Sequence, residues 1–194
     1  LQTARKILRS AAKYPNVQLS GLHIHIGSQI TTRAPFLKAM TRVLEFLDVL
    51  QKDGVALEYL DIGGGMGIIY KDEQPQTAQD FADAVLPYLQ KTGLKIVMEP
   101  GRFIVGNAGI LVARVLYTKE SGDKKFIICD AWMNDLIRPT LYGAYHRIWP
   151  VRTDPAYAGE APDESRWAGP SAVTDVVGPV CESGDFLARE RRLP

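Results

Sequence analysis

Glu99 and Arg102 stand at the two ends of the stretch EPGR, directly after the apolar run LKIVM. An anion and a cation on a Pro-Gly turn, taken alone, describe a solvated surface turn just as well as a site. The neighbouring stretches supply a chemical reading. Gly63, Gly64 and Gly65 follow the strand-like ALEYLDI. Three glycines let backbone N–H groups turn toward one point and let a ligand approach without a Cβ in the way, which suits a phosphate, although a tight turn uses the same residues. The spacing is not GxGxxG and no G-K-[ST] follows, so dinucleotide and P-loop readings are weak. Arg102 would add a charge-assisted bond to an anion and Ser28, in GLHIHIGS, a hydroxyl. Glu99 is then an anion beside an anion site, which makes sense if it addresses a cationic part of the same ligand, such as a protonated heterocyclic nitrogen.

His23 and His25 alternate along a strand and share a face, but only His146 accompanies them, so no three-histidine metal site is expected. A satisfied core histidine is the ordinary role for either; an imidazole lying flat against a planar ring is the functional one. Further along, WMNDLIRPTLYGAYH places Arg138 before a proline and Tyr142 four residues on. A rigid guanidinium fork with a hydroxyl beside it suits the carboxylate of an amino acid, and a surface turn with an aromatic beneath it fits the spacing equally. GPVCESGD presents Cys181 and Glu182 on a Gly-flanked loop, where an exposed thiol can give or take a proton.

The elements that must position these groups alternate strictly through the first half. Residues 1 to 14 read as helix, VQLSGLHIHI as strand, and RAPFLKAMTRVLEFLDVLQKDG as a long helix with Phe36, Leu37, Met40, Val43, Leu44, Leu47 and Leu50 at helical spacing and Gly54 as its stop. Then ALEYLDIGGG is a strand, TAQDFADAVLPYLQKTG a helix and LKIVMEPGR a strand. Such alternation predicts parallel strands with crossover helices, and LKIVM reads as a strand covered on both sides. All three strands end in chemistry-bearing residues, 25 to 28, 61 to 65 and 98 to 102, as the functional face of a doubly wound sheet or a βα barrel requires. After about residue 108 the texture becomes β-rich in GILVARVLYTKES, GDKKFIICDAW and AVTDVVGPVCES, with PVRTDPAYAGEAPDESRWAGPS as a long polar connection. The expected organisation is therefore residues 1–108 as an α/β domain and 109–194 as part of a mostly antiparallel β domain.

Bulk properties narrow the ligand. Of 194 residues, 46% are hydrophobic and 23% charged, with a formal net charge of +1 from 23 basic and 22 acidic side chains. That is the profile of a soluble globular chain with no electrostatic footprint for nucleic acid or anionic lipid, so a small molecule is the expected partner. Cys129 and Cys181 form no disulfide framework or zinc-type cluster, and a reducing cytoplasm is the expected home. No apolar stretch approaches the roughly 20 residues of a membrane span. The start LQTARKILRSAAK reads as a basic amphipathic helix entered in mid-stride, without an initiator Met, and suggests part of a longer protein.

Taken in order, GLHIHIGSQ, LDIGGGMG, EPGR, RPTLYGAYH and VVGPVCESGD resemble the signature blocks of the fold-type III pyridoxal-phosphate decarboxylases, and within them the diaminopimelate branch. The resemblance spans nearly the whole chain. It implies a TIM-like βα barrel followed by a β domain, with pyridoxal 5′-phosphate at the C-terminal face of the barrel. By position, Gly63, Gly64, Gly65 and Arg102 would hold the phosphate with Ser28 nearby, within a cofactor-contacting set that also includes Pro100 and Gly101. His25 would stack on the ring, and Glu99 would keep its nitrogen protonated so that the ring accepts the electron pair left when CO2 departs. Arg102, Arg138 and Tyr142 would contact a substrate carboxylate, Cys181 would return the proton, and Glu182 would meet the distal end of the substrate. The resemblance implies a homodimer with the Cys181 loop contributed across the interface; the residues themselves leave a metal site unsupported. Glu-Ser after the cysteine, where ornithine enzymes carry Asp, points to conversion of meso-2,6-diaminopimelate to L-lysine and CO2.

The match has gaps. The family's Schiff-base lysine lies in a YAxKAN-like context that this sequence lacks; Lys95, the one lysine on a barrel-type strand, starts KIVME at the end away from the site and is not assigned the role. A substrate-binding tyrosine expected beyond residue 194 is likewise outside the sequence. The expectation is an internal fragment, three or so of eight barrel strands plus part of the β domain, which alone would be inactive and prone to aggregate through open sheet edges. The alternatives are a decarboxylase of another basic amino acid (ornithine, arginine or carboxynorspermidine), or a non-catalytic relative that binds a partner.

Overall fold

A computed structural model describes residues 1–152 and 171–193. The chain divides into two compact units, Leu1–Gly109 and Ile110–Pro194. The polar connection read at 150–171 lies almost wholly outside the described residues.

The first unit is built from helix α1 (Gln2–Arg9), strand β1 (Gly21–His23), α2 (Ala34–Lys52), β2 (Tyr59–Asp61), α3 (Ala78–Leu89), β3 (Lys95–Val97) and the short α4 (Arg102–Val105). The strands form a parallel sheet in the order β1-β2-β3, with α2 and α3 as crossovers. Helix α2 forms because its apolar residues fall on one stripe, and Phe36, Met40, Val43, Phe46 and Leu50 are buried. Thr77 starts α3 with a capping box: its hydroxyl accepts from Asp80 N while the Asp80 carboxylate accepts from Thr77 N. Phe36 and Phe81 meet edge to face at 4.9 Å between ring centroids, over Leu60 and Ile62 of the sheet. Helix α1 is held to the far end of α2 by Leu8 against Phe46 and Leu50 and by a two-pronged Arg5–Asp53 pair.

Two expectations for this unit change. The strands are three residues long, far shorter than their apolar runs: the regular ladder ends at His23, Asp61 and Val97, and only single backbone bonds continue beyond it. Nor is β3 covered on both faces: Ile96, Val97 and Met98 are 36%, 41% and 43% exposed. Among the described residues β3, like β1, lies at an edge of the sheet and bonds only to β2.

The second unit carries β4 (Val115–Ser121), β5 (Lys124–Cys129), the short α5 (Arg138–Tyr142), β6 (Ala172–Val177) and β7 (Phe186–Leu193). Its sheet, in the order β4-β5-β6-β7, is mixed: the outer pairings are antiparallel, whereas β5 and β6 run parallel. Parallel neighbours need a long return connection, which the stretch between Cys129 and Ala172 provides. Cys129, Val176, Leu187, Ala188 and Leu193 form its core. No helix among the described residues is long and apolar enough to cross a membrane.

Candidate functional site

Beyond β1, β2 and β3 the chain forms three loops that interlock through backbone bonds. Ile24 N donates to Asp61 O, Ile62 N to Val97 O and Glu99 N to Gly63 O, so the strand ends stay in register past the regular sheet. The glycines are required by this interlock. A Cβ on Gly64 would lie 1.8 Å from Glu99 O, one on Gly63 2.4 Å from Ile24 O, and one on Gly65 2.2 Å from Gly27 O. Gly63 and Gly65 also have φ of 67° and 96°, in the region that favours glycine.

The expected picture of three amides turned to one ligand is therefore corrected in detail. Gly63 N donates to Asp61 Oδ1 at 2.8 Å, and Gly64 N points to His25 Nδ1 at 3.4 Å. The missing side chains make room for neighbouring backbone, and the loop serves to bring His25, Glu99 and Gly64 to one place. His25 and Glu99 are exposed there.

Gly101, with φ of 54°, turns the chain into α4, and Arg102 opens that helix. Its Nη2 donates to Ser28 Oγ at 2.6 Å and its Nη1 to Tyr70 Oη at 3.1 Å. A planar cation and a hydroxyl thus lie side by side on an exposed rim, the donor set that a phosphate monoester dianion needs. The exposed Glu99 carboxylate offers an acceptor for a protonated ring nitrogen, and the exposed His25 imidazole offers a flat face. On the chemistry of these donors, pyridoxal phosphate fits. His23, for which a core role was one of two open readings, is exposed, with Nε2 3.6 Å from Glu99 Oε2. Together with Asp61 these two place ligand-type atoms within 4.8 Å of one another, and the Asp61 carboxylate already accepts from Gly63 N.

In the second unit, the segment 178–186 hangs from Asp185. This buried carboxylate accepts from Met133 N and Val180 N, each at 2.8 Å. A Cβ on Gly178 would lie 2.4 Å from Asp185 Oδ2, so glycine is what admits the carboxylate. Cys181 is exposed on this loop, whereas Cys129 is buried in the core, where loss of solvent pushes its thiol pKa up. The two cysteines thereby separate into an accessible thiol and a buried packing one. Glu182 Oε1 accepts from Gly184 N at 3.0 Å and Ser183 Oγ at 3.1 Å, bonds that hold the exposed carboxyl below its ordinary pKa.

Arg138 and Tyr142 lie at the two ends of α5. Arg138 Nη1 donates to His146 Nε2 at 3.1 Å; burial first, then the charges of Arg138 and Arg191, push the His146 pKa down and keep the ring an acceptor. Tyr142 is 71% exposed. Between them Thr140 Oγ1 donates to Gly184 O at 2.5 Å, tying α5 to the Cys181 loop. Sequence reasoning passed over Gln29, Tyr70, Thr140 and Asp185. Gln29, Thr140 and Asp185 fell within the blocks that carry the resemblance, and the available signal was a lone polar side chain, which loops near solvent display just as often.

Residues 1–106 match the family model described as "Pyridoxal-dependent decarboxylase, pyridoxal binding domain". The chain is 45% identical to the diaminopimelate decarboxylase of Aquifex aeolicus over 194 residues, which is 100% of this chain and 43% of that protein. It is 44% identical to the Haemophilus influenzae diaminopimelate decarboxylase, over 98% of this chain and 43% of that one. A crystal structure of the Helicobacter pylori diaminopimelate decarboxylase complexed with L-lysine superposes with a TM-score of 0.84 at 35% identity, covering 100% of this chain and 45% of the other. The chain thus spans less than half the length of the curated relatives it matches. With more than half of its own length under one family model, and with the strand-end loops that carry His25, Glu99 and Arg102 inside the matched range, this chain belongs to the pyridoxal-dependent decarboxylase family.

Proposed function

We propose that this chain supplies cofactor-binding and substrate-binding parts of an enzyme that decarboxylates meso-2,6-diaminopimelate to L-lysine and CO2. The observation that carries the reading is the gathering of half-buried Arg102 with exposed Ser28, Glu99 and His25 on interlocked strand ends, in a chain more than 40% identical along its length to diaminopimelate decarboxylases. Pyridoxal phosphate, when bound, supplies an electron-accepting ring for the pair released as CO2 leaves.

Arg102 and Ser28 take the phosphate oxygens, beside the turn of Gly63, Gly64 and Gly65 and the Pro100-Gly101 bend. His25 supports the ring face. Glu99 holds the proton on the ring nitrogen through its carboxylate, where a charge-assisted bond is strongest. In the second unit, Arg138 and Tyr142 orient a substrate carboxylate. Glu182 selects the distal amino-acid end, and the Cys181 Sγ–H gives its proton to the carbon that lost CO2. The three parallel strands and their helices are read as part of a βα barrel. The Cys181 loop is read as serving the site of a second subunit in a cytoplasmic homodimer.

The test is CO2 release by the full-length protein with pyridoxal phosphate, on meso-diaminopimelate, ornithine and arginine. Release from meso-diaminopimelate alone supports the reading. Release from ornithine or arginine instead would overturn the role of Glu182, and release from none by a folded dimer would leave a non-catalytic relative.

A further inference from the structure

Gln29 has no role in the reading above, yet its side chain ties together two of the three site loops. Its backbone φ is 56°, a left-handed conformation that residues with a Cβ seldom adopt. Its carboxamide forms a reciprocal pair with Ile68: Nε2 donates to Ile68 O at 2.6 Å, and Oε1 accepts from Ile68 N at 3.1 Å. The two-way pairing fixes which end of the amide is oxygen. That same oxygen also accepts from Arg102 Nη1 at 3.4 Å.

The pairing sits where movement would matter most. Ile68 is the buried exit of the glycine segment, which is stitched to the same region by Ile30 N donating to Gly65 O and by Gly67 N donating to Ile30 O. Ile68 also fills the space beside Gly106 at the end of α4, where an added Cβ would lie 2.4 Å from its Cδ1. The helix that begins with Arg102 and the loop that begins with Gly63 therefore converge on one residue, and Gln29 binds its backbone at both polar atoms.

We propose that Gln29 is a positioning residue for a phosphate-monoester seat: it locks the exit of the glycine loop and, through the shared oxygen, sets the guanidinium of Arg102 beside Ser28. The inference rests on the reading of Arg102 and Ser28 as the phosphate contacts. Three hydrogen bonds through one carboxamide, one of them donated by the Arg102 guanidinium, make a coupled unit, so the loss of Gln29 is felt at Arg102 without any change in the residues that touch the anion.

The test compares equilibrium binding of pyridoxal 5′-phosphate with that of pyridoxal, which lacks the phosphate, to the full-length protein, its Gln29→Gly variant and its Gln29→Glu variant. Gln29→Gly relieves the left-handed backbone while removing the amide, so the strain released offsets part of the cost of the lost bonds to Ile68. Gln29→Glu keeps the size but sets a carboxylate against Arg102, in competition with the anion. The expected result is a fall of roughly tenfold in the preference for the phosphorylated ligand in Gln29→Gly, with a larger fall in Gln29→Glu and little change for pyridoxal. Should Gln29→Gly fail to fold, Gln29→Glu carries the same comparison. Equal weakening of both ligands, or an unchanged preference, overturns the proposal and leaves the cofactor reading intact. Wild-type protein that shows no preference for the phosphorylated ligand overturns both.

Discussion

Arg102 Nη2 donates to Ser28 Oγ at 2.6 Å across 74 residues of chain, joining the end of the first strand to the end of the third. The fork geometry is what permits this, because Nη1 is turned at the same time to Tyr70 Oη. Lysine keeps the charge but offers a single point donor. Arg102→Lys should weaken pyridoxal phosphate binding by about 1.5–3 kcal/mol, the usual contribution of a hydrogen bond to a charged group. Fluorescence titration of the full-length protein checks this, and affinity equal to that of the wild type would remove Arg102 from the phosphate seat.

Gly64 is the tightest point of the site. Its added Cβ would meet Glu99 O at 1.8 Å, and the obstacle is backbone, which cannot rotate away as a side-chain tip would. Gly64→Ala should therefore cost about 1–3 kcal/mol of stability, as forced overpacking does, with a lower urea midpoint for the full-length protein. An unchanged midpoint would mean that the strand ends are not held as described.

Cys181→Ala removes an exposed thiol that takes part in none of the loop's described bonds. The expected outcome is a fall in kcat of roughly 10²- to 10⁴-fold, the range of a positioned general acid, with KM for diaminopimelate nearly unchanged and the loop intact. A fall in KM-dependent binding without loss of kcat would assign the thiol to recognition instead of proton delivery.

Asp53 provides a pH-dependent contact away from the chemistry. The Arg5 hydrogen bond, followed by the charges of Arg5 and Arg9, outweighs desolvation and holds its carboxyl below the ordinary value of 3.8. Because the folded pKa is depressed, the pair stabilises the fold at pH values above the unfolded pKa and loses its effect as pH falls through the folded one. Asp53→Asn should thus be less stable than wild type at pH 7, and the gap in denaturation midpoints should close below about pH 3.8. A gap independent of pH would point to packing, not charge.

The sequence made the helices legible because burial on one side leaves a 3.6-residue stripe: Phe36, Met40, Val43 and Leu50 are apolar in the sequence and buried in the fold. Strand length was illegible, since an apolar residue beyond the last ladder bond looks the same as one within it. Strand β7 was missed altogether. FLARERRL carries four charges, Glu190 adopts a φ of 53°, and the register with β6 shifts, so the two-residue alternation breaks in mid-strand. The residue types of the site stood out, but their supports did not. Arg102 and Glu99 announce themselves by charge at a turn, whereas Asp185 and Gln29 act on backbone atoms, whose partners leave no mark in a sequence.

Asp185 separates what the Cys181 loop displays from what holds it up. The loop's support is a buried carboxylate on Met133 N and Val180 N, backed by Thr140 from α5, and none of these bonds uses the side chains of Cys181 or Ser183. Glu182 adds only exposed bonds of its own. Single substitutions at 181 to 183 accordingly carry little folding penalty, so the displayed groups can be exchanged while the scaffold beneath stays as it is.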